Sequence, residues 1–332
     1  MTRELTSAPT APVSAPTRGT GRHPGLLATL VRARWSYLYL LPFVLLTGAF
    51  VLYPIGASLV YTVFKWDGIG SPSAFVGLTN FVNVMNDDFF WKAVTHSLIY
   101  TAVLVPVQLL LALVLAVVLN DRKLRFSTFY RSLFFLPAVM SPAIIGVIFQ
   151  LLISNFGQGL GEVFGTKLGL LADPKTALGV VIAIGIWNTL GYNLIYFLAA
   201  LQTIPEELYE AGRIDGASWF QLFRHITIPG LATIGPIIVF LAIIGSLQVF
   251  DLVQVLTGGG PYFATSVVNT YIYQMAFGGA GSGGVPVTPD VGLASSAAFL
   301  YGLLLIAIAA VQAIVLGRMR RRAQPTGEIT TA

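Results

Sequence analysis

The sequence lacks cysteine altogether and contains few charged residues. Of its 332 residues none is Cys, and only 10% are Asp, Glu, Lys or Arg, against about 25% in an ordinary soluble domain. The absence of cysteine excludes thiol catalysis, a disulfide-stapled fold, cysteine-based zinc sites and iron–sulfur clusters. The shortage of charge excludes a cytosolic enzyme and a disordered chain. Because 55% of the residues are apolar, the composition predicts a membrane protein.

The charged residues leave six apolar runs, each long enough at about 1.5 Å per residue to cross roughly 30 Å of hydrocarbon. Apart from Arg131 at the edge of the third, none contains Asp, Glu, Lys or Arg. Helices are predicted, because backbone polar groups in lipid must be paired within the protein and continuous apolar runs do not alternate as barrel strands would. The six predicted spans are 36–64, 94–119, 130–153, 177–201, 227–250 and 294–317.

Basic residues orient these spans, because Lys and Arg close to span ends are retained on the cytoplasmic side. If the amino terminus lies inside, only Lys65, Lys92, Lys167 and Lys175 of the 19 Lys and Arg residues fall outside. Both termini are therefore predicted to be cytoplasmic, in a multi-pass protein of the cell membrane. The basic residues mark topology, so the net charge of +5 does not indicate nucleic acid as a partner.

The segments outside the spans predict no separate soluble domain. Residues 1–34 are rich in Thr, Ala, Pro and Ser, which predicts a disordered cytoplasmic tail. Residues 35–317 form the membrane domain, and 318–332 are a basic cytoplasmic tail. The charge-free segment 266–277 is too short for a seventh span, so we predict an external loop with a short interfacial helix there.

The inner loop 203–229, between the fourth and fifth spans, is the most informative part of the chain. Thr203 and Glu206 have the spacing of a capping box, which predicts that a helix starts here. Gly212 and Gly216 lie four residues apart, a spacing that permits close approach of another surface, although each glycine costs a helix roughly 1 kcal/mol relative to alanine. Two interpretations stay open: a plain connecting helix on the membrane surface, and a helix that docks into a soluble partner.

The loop resembles the EAA signature of ATP-binding-cassette (ABC) importer permeases, in which Glu-Ala-Ala, three residues, Gly, nine residues and Ile-x-Leu-Pro form the coupling helices that an ATPase contacts. Gly212 replaces the second alanine and Ile228 the leucine. The longer string 204–218 resembles the carbohydrate branch, especially the maltose and glycerol-phosphate permeases, and the resemblance covers roughly 36–317. The matching residues are Glu210-Ala211-Gly212, Gly216 and Ile226-Thr227-Ile228-Pro229.

This resemblance implies an all-α integral membrane protein with the MetI-like fold of type I ABC importer permeases. Such a permease pairs with a second permease subunit, usually a different chain in this branch. Two copies of a cytoplasmic ABC ATPase dock on the coupling helices, and an external solute-binding protein delivers the carbohydrate. ATP and Mg²⁺ are then bound by the ATPase, and no cofactor is expected in this chain.

The residues themselves indicate a non-catalytic subunit. No Gly-x-x-x-x-Gly-Lys-Ser/Thr occurs, and the glycines at 258–260 lack the lysine of a phosphate-binding loop. His23, His96 and His225 are too dispersed for a metal site. ATP hydrolysis is therefore expected on a partner chain.

Two other classes of membrane protein remain as alternatives. A secondary transporter driven by an ion gradient would work without an ATPase, and it predicts charged residues at mid-membrane and repeated halves. A structural or scaffold membrane protein would leave the loop 203–229 unexplained.

Two sets of residues are predicted to carry the function. The resemblance implies a coupling set, with polar contacts to the ATPase from Glu210, Arg213 and Asp215 and a close-fitting surface formed by Ala211, Gly212 and Gly216.

The second set, the path set, follows from the polar residues of spans four and five, which are costly in lipid and tend to face a cavity or a neighbouring helix. Sugars are bound by aromatic faces together with amides and hydroxyls. The alternative for each residue is interhelical packing or interfacial anchoring. The path set consists of Trp187, Asn188, Thr189, Tyr192, Ser246 and Gln248.

Overall fold

The computed structural model describes residues 34–72, 74–120, 124–164, 169–280 and 286–323. The predicted amino-terminal tail lies outside these ranges except for Arg34, and so do residues 324–332 of the predicted carboxy-terminal tail. Described residues up to Gly56 form one compact unit, and those from Ala57 onward form another.

The first unit is helical. Helix α1 (Arg34–Thr47) contains Pro42 and is followed by a π-helical segment (Gly48–Leu52) and by α2 (Tyr53–Tyr61), which continues past the end of the unit. Residues Leu38–Tyr61 are long and apolar enough to cross a membrane, in agreement with the first predicted span.

The second unit is also built from helices. Two short antiparallel hairpins interrupt them, one pairing β1 (Phe64–Lys65) with β2 (Ala74–Phe75) and the other β3 (Gly279–Ala280) with β4 (Pro286–Val287). The helices after α2 follow in this order: α3 (Thr79–Met85), α4 (Asp88–Leu119), α5 (Ser127–Val139), α6 (Pro142–Phe164), α7 (Ala177–Leu201), α8 (Glu206–Ile214), α9 (Trp219–Leu222), α10 (Ile228–Gly230), α11 (Gly235–Leu247), α12 (Asp251–Leu256), α13 (Val268–Phe277) and α14 (Val291–Ala323).

Five helical segments of the described chain are long and apolar enough to span a membrane, and a sixth is added if α5 and α6 form one bent span. The predicted all-helical membrane architecture is thereby confirmed. The third predicted span, 130–153, is not one straight helix, because α5 and α6 meet at 91°. Met140 is extended at the break (φ −74°, ψ 143°), and Pro142 has no backbone N–H with which to continue the helix.

The fifth predicted span, 227–250, is interrupted as well. A π-helical segment (Phe223–Thr227) and the short α10 precede α11, which ends at Leu247, and α12 begins at Asp251. The residues between these two helices break an otherwise apolar span.

The segment 266–277 contains the predicted short helix, α13, and this helix packs against the rest of the unit; its position in an external loop at the membrane surface stays a prediction. Tyr271 is only 1% exposed, and its hydroxyl donates a hydrogen bond of 2.6 Å to Oδ2 of Asp87. The backbone N–H of Val268 donates to the Ser97 hydroxyl of α4 at 3.1 Å. Burial, and secondarily the hydrogen bond and charge of Asp87, raise the pKa of Tyr271. Helix α13 is therefore an integral part of the packed unit.

Helix α4 lies at the centre of the packing. Its small residues Ala112 and Ala116 are fully buried in a cluster with side chains of α7 and α11. Helix α7 in turn approaches α5 closely, because a Cβ atom on Gly191 would lie only 2.7 Å from the carbonyl oxygen of Phe134. Small residues thus let these helices approach one another closely, as is common in membrane proteins.

Candidate functional site

A cavity of about 510 Å³ lies between α4, α7, α11 and α12. Five of the six residues of the path set line it: Asn188, Thr189, Tyr192, Ser246 and Gln248. Trp187 does not, since its ring packs edge-on against Phe149 at a centroid distance of 5.5 Å and its side chain is 43% exposed. Whether these residues contact a solute stays a prediction.

Three of these polar side chains also join helices to one another. The Thr189 hydroxyl is within hydrogen-bond distance of Oε1 of Gln108 on α4 and donates to the Gly185 carbonyl oxygen at 2.8 Å. Asn188 Nδ2 donates to the carbonyl oxygen of Pro137 at 2.9 Å, just before the α5–α6 break. The packing interpretation and the cavity interpretation therefore both hold for these residues.

Ser246 completes this set of contacts. Its hydroxyl lies 3.0 Å from the Thr101 hydroxyl of α4, to which it donates, and 2.9 Å from the Ile243 carbonyl oxygen of its own helix. Because the residue is 7% exposed, only a small part of its surface faces the cavity.

The interruption between α11 and α12 shapes the cavity wall. Five consecutive residues, from Gln248 to Leu252, line the cavity, whereas a continuous helix would place only every third or fourth residue on one face. The side chains of Gln248 and Asp251 are both exposed. The break therefore concentrates polar and aromatic groups at one place in an apolar span.

Several cavity residues were not in the path set. Gln108 is only 2% exposed, and a glutamine inside an apolar run could have marked it, since buried polar groups in spans face partners or cavities. Asp251 lies near the outer end of the predicted fifth span, where hydration of a carboxylate is expected, so the sequence alone provided no reason to place it in the path set. The lining residues outside the path set that carry polar side chains are Tyr100, Gln108, Asn193, Tyr196 and Asp251.

The loop 203–229 folds differently from its predicted capping pattern. Helix α8 begins at Glu206 without a side-chain cap, and the Thr203 hydroxyl instead donates to the Ala200 carbonyl oxygen at 2.7 Å. A capping box is present later, where the Ser218 backbone N–H donates to Oε1 of Gln221 at 2.7 Å and the Ser218 side chain accepts from the Gln221 backbone. The predicted start of a helix is thus confirmed, but its N-cap is Pro205 instead of Thr203, and the capping box at Ser218 starts α9.

The two glycines of the coupling set have separate roles within the loop. A Cβ atom on Gly212 would lie 2.6 Å from Leu222 Cδ2 and 3.3 Å from Ile226 Cδ1, so the close approach at this position is to the chain itself. Gly216 has φ +77° and ends α8, with the Ala217 N–H donating to the Gly212 carbonyl oxygen at 2.9 Å. This is the glycine-terminated end of a helix, in which φ must be positive.

The rest of the coupling set is exposed. The side chains of Glu210, Ala211, Arg213 and Asp215 are all accessible, and Arg213 also lines a second cavity of about 870 Å³ beside the loop. Sequence reasoning missed Ile214, which is 86% exposed, because an apolar side chain gives no sign of its exposure in the sequence.

Helix α8 thus presents an outward surface, here called the α8 face, formed by Leu208, Glu210, Ala211, Ile214 and Asp215. Leu208 is 50% exposed, and the other four members are also exposed. Its apolar side chains, Leu208 and Ile214, therefore lie beside the carboxylates of Glu210 and Asp215 on the exposed side of the helix.

Comparison with known proteins identifies a protein family whose model matches this chain. The family model described as "Binding-protein-dependent transport system inner membrane component" matches residues 88–321. The chain is 36% identical over 249 residues to the probable ABC transporter permease protein YurN of Bacillus subtilis, an alignment that covers 73% of this chain and 85% of YurN.

Two further relatives have transport assignments in their names. The chain is 38% identical over 253 residues to the lactose transport system permease protein LacF of Rhizobium radiobacter, covering 73% of this chain and 83% of LacF. It is 33% identical over 280 residues to the sn-glycerol-3-phosphate transport system permease protein UgpA of Yersinia enterocolitica, covering 82% of this chain and 90% of UgpA.

Among solved structures, the fold matches a chain of a bacterial ABC transporter involved in the import of the acidic polysaccharide alginate. The TM-score is 0.72 at 20% identity, over 88% of this chain and 98% of that chain. A likeness at this identity establishes the fold alone.

Proposed function

This chain belongs to the family of binding-protein-dependent transport system inner membrane components, and on that basis we propose that it is a permease subunit of an ATP-driven importer that carries a carbohydrate. The observation that carries the proposal is the cavity of about 510 Å³ between the spans. Its wall combines carboxamide and hydroxyl groups with aromatic rings, which is the chemistry that binds sugars.

The carbohydrate assignment has support from a relative as well. LacF, the permease of a lactose transport system, shares 38% identity with this chain. In the cavity, Gln248, Tyr192 and Tyr196 are exposed and offer hydrogen-bonding groups to a polyhydroxylated solute. The sugar would pass between this chain and a second permease subunit, which we propose to be a different chain.

Energy would come from two copies of an ABC ATPase on the cytoplasmic side, which bind ATP and Mg²⁺. We assign the ATPase contact to the α8 face, with Ile214 and Leu208 entering the ATPase surface and Glu210 and Asp215 making polar contacts. A solute-binding protein on the opposite side would deliver the sugar, in keeping with the name of the family. In this arrangement loop 203–229 and both chain termini lie in the cytoplasm.

An ion-gradient-driven transporter acting alone fits less well. The wall of the cavity contains one charged residue among those that the structure describes, Asp251, and a proton or ion relay uses several ionisable groups within the spans. The relatives YurN, LacF and UgpA all carry the word permease in their names, and YurN is described as part of an ABC transporter.

Uptake by proteoliposomes tests the proposal. This chain would be reconstituted with its second permease, its ATPase and its binding protein, and the uptake of radiolabelled sugars would be measured with and without ATP. ATP-dependent uptake that needs the binding protein is expected. Uptake driven by a proton or sodium gradient in the absence of the ATPase would reject the importer.

Replacing the exposed isoleucine tests the coupling surface. We expect Ile214→Asp to lose at least tenfold of the ATPase that co-purifies with the permease pair, because a charge on an apolar contact must be desolvated. Ile69→Asp is the matched control, since Ile69 is 81% exposed but lies in the β1–β2 hairpin. Equal ATPase recovery from the two variants would remove Ile214 from the coupling surface.

A further inference from the structure

The charge of the cavity wall limits which sugars it can hold. Among the described residues that line it, none is Lys, Arg or His, and Asp251 is the single acidic residue. A phosphate or carboxylate on a solute is normally bound by arginine, lysine or several backbone N–H groups. This wall supplies no such cation and carries the carboxylate of Asp251 instead.

Asp251 is suited to contact a solute. Its side chain is exposed although the residue stands within the apolar segment Gly235–Leu256, and it lies next to Phe250 on the cavity wall. A carboxylate accepts hydrogen bonds from two hydroxyl groups at once and forms stronger bonds than a neutral acceptor. Beside an aromatic ring, such an acceptor is suited to a pair of sugar hydroxyls.

The same carboxylate repels an anion. Near a protein surface, two like charges a few ångströms apart interact more strongly than they would in bulk water, because the effective dielectric constant is lower. The interhelical pairs beside the cavity, Thr189 with Gln108 and Ser246 with Thr101, are uncharged and cannot offset this repulsion. The binding of a neutral polyhydroxylated solute is not weakened by this repulsion.

Resting on the function proposed above, we propose that this cavity takes a neutral sugar or polyol and rejects anionic ones, and that Asp251 determines this selectivity. The relatives span both chemistries, since LacF is named for lactose and UgpA for sn-glycerol 3-phosphate. The cavity assigns this chain to the neutral class. Its volume of about 510 Å³ is within the range of small-ligand sites, roughly 300–1,000 Å³.

Equilibrium binding to the assembled transporter tests this assignment. The full complex of both permeases and the ATPase would be placed in lipid nanodiscs without the binding protein, so that the binding protein cannot impose its own selectivity. The probes are radiolabelled pairs that differ in charge: glucose and glucuronate, galactose and galacturonate, glycerol and sn-glycerol 3-phosphate, with lactose as a neutral disaccharide.

The wild-type complex should bind the neutral member of at least one pair tenfold or more tightly than its anionic partner. Asp251→Asn, which keeps the shape of the side chain and removes its charge, should bring this ratio below threefold. Asp251→Glu should retain most of it. Asp88→Asn is the matched control, because it removes an equally exposed carboxylate from α4 outside the cavity and should leave the ratio unchanged.

Each result has a definite meaning. Tighter binding of an anionic probe by the wild-type complex would overturn the neutral assignment. A wild-type ratio that persists in Asp251→Asn, in complexes that retain the ATPase, would overturn the role of Asp251. If no sugar binds to the wild type and uptake follows an ion gradient instead, the proposed function itself fails, and this inference fails with it.

Discussion

Thr189 and Gln108 connect α7 to α4 through side chains that both line the cavity. Hydrogen bonds between membrane helices stabilise by about 0.6 kcal/mol on average and seldom by more than 2 kcal/mol. Losing such a hydrogen bond costs more free energy than forming it gains. Gln108 is 2% exposed, and a buried amide left without a partner keeps its full desolvation cost. These residues therefore hold the cavity wall in one arrangement.

Removing the Thr189 hydroxyl should destabilise the protein. We expect Thr189→Val to lower the free energy of unfolding in mixed micelles by about 1–2 kcal/mol. The control is Thr95→Val, since the Thr95 hydroxyl donates to the Trp91 carbonyl oxygen of its own helix at 2.9 Å. A double-mutant cycle with Gln108→Leu should show a coupling of at least 0.5 kcal/mol, and strictly additive losses would contradict the pairing.

A second prediction at the residue scale concerns the backbone conformation of Gly216. A Cβ atom there meets nothing within 4 Å, yet φ is +77°, so the cost of a side chain is in the backbone alone. Gly216→Val should cost about 1–2 kcal/mol, and Gly216→Asn much less, because asparagine adopts this conformation readily. Hydrogen–deuterium exchange of the α8 amides should increase for valine only. Equal exchange in both variants would show that the loop relaxes to another conformation.

At the scale of elements, close contact between helices depends on glycine at particular positions. Gly191 on α7 faces the backbone of α5, where a Cβ atom would lie 2.7 Å from the Phe134 carbonyl oxygen and 2.9 Å from Cα of Phe135. A main chain cannot rotate away as a flexible side chain can, so the two helices would have to separate. Gly179 is on the same helix, and a Cβ atom there meets nothing within 4 Å.

Alanine at these two positions should therefore have opposite effects. We expect Gly191→Ala to destabilise by about 1–3 kcal/mol through overpacking, and Gly179→Ala to be neutral or stabilising by up to about 1 kcal/mol through helix propensity. Thermal unfolding of both purified variants in one detergent measures the difference. A similar shift for both would mean that α5 and α7 do not pack as described.

The broken spans are also features of elements. The 91° turn between α5 and α6 and the interruption between α11 and α12 both border the cavity, through Pro142 and through residues 248–251. Irregular backbone is tolerated at membrane depth where it lines a cavity or is covered by protein. The breaks therefore let consecutive residues, including polar ones, line the cavity, whereas an unbroken helix would present only the residues of one face.

At the scale of the whole molecule, the distribution of basic residues predicts the orientation in the membrane. Because the chain has no cysteine, single cysteines can be introduced without a background. We expect Asp67→Cys, in the β1–β2 hairpin, to react with a membrane-impermeant maleimide in intact cells. Asp215→Cys, at the end of α8, should react only after permeabilisation, although both residues are exposed. The reverse pattern would invert the proposed topology and move the α8 face outside.

The helical membrane architecture could be predicted from the sequence because the signals for it, apolar runs of a certain length, are local. An apolar run of the right length is a span whatever surrounds it, and polar residues at 188, 189 and 246 within such runs were correctly expected to face a cavity or another helix. The cavity residue Gln108 was missed, because it stands in a span whose other residues are almost all apolar. Asp251 was expected to be hydrated near the outer end of its span, and only the structure places it on the cavity wall.

The sequence by itself determined the helical membrane class, the presence of several apolar spans and the family, since hydropathy and motif spacing are properties of neighbouring residues. Tertiary structure alone decided that Gly212 faces Leu222 and Ile226, that Ile214 is exposed, that α13 is buried and that α5 turns away from α6. Most of these depend on which other segment of the chain occupies the adjacent space, which hydropathy and motif spacing do not report; only the α5–α6 turn also has a local cause, in Pro142.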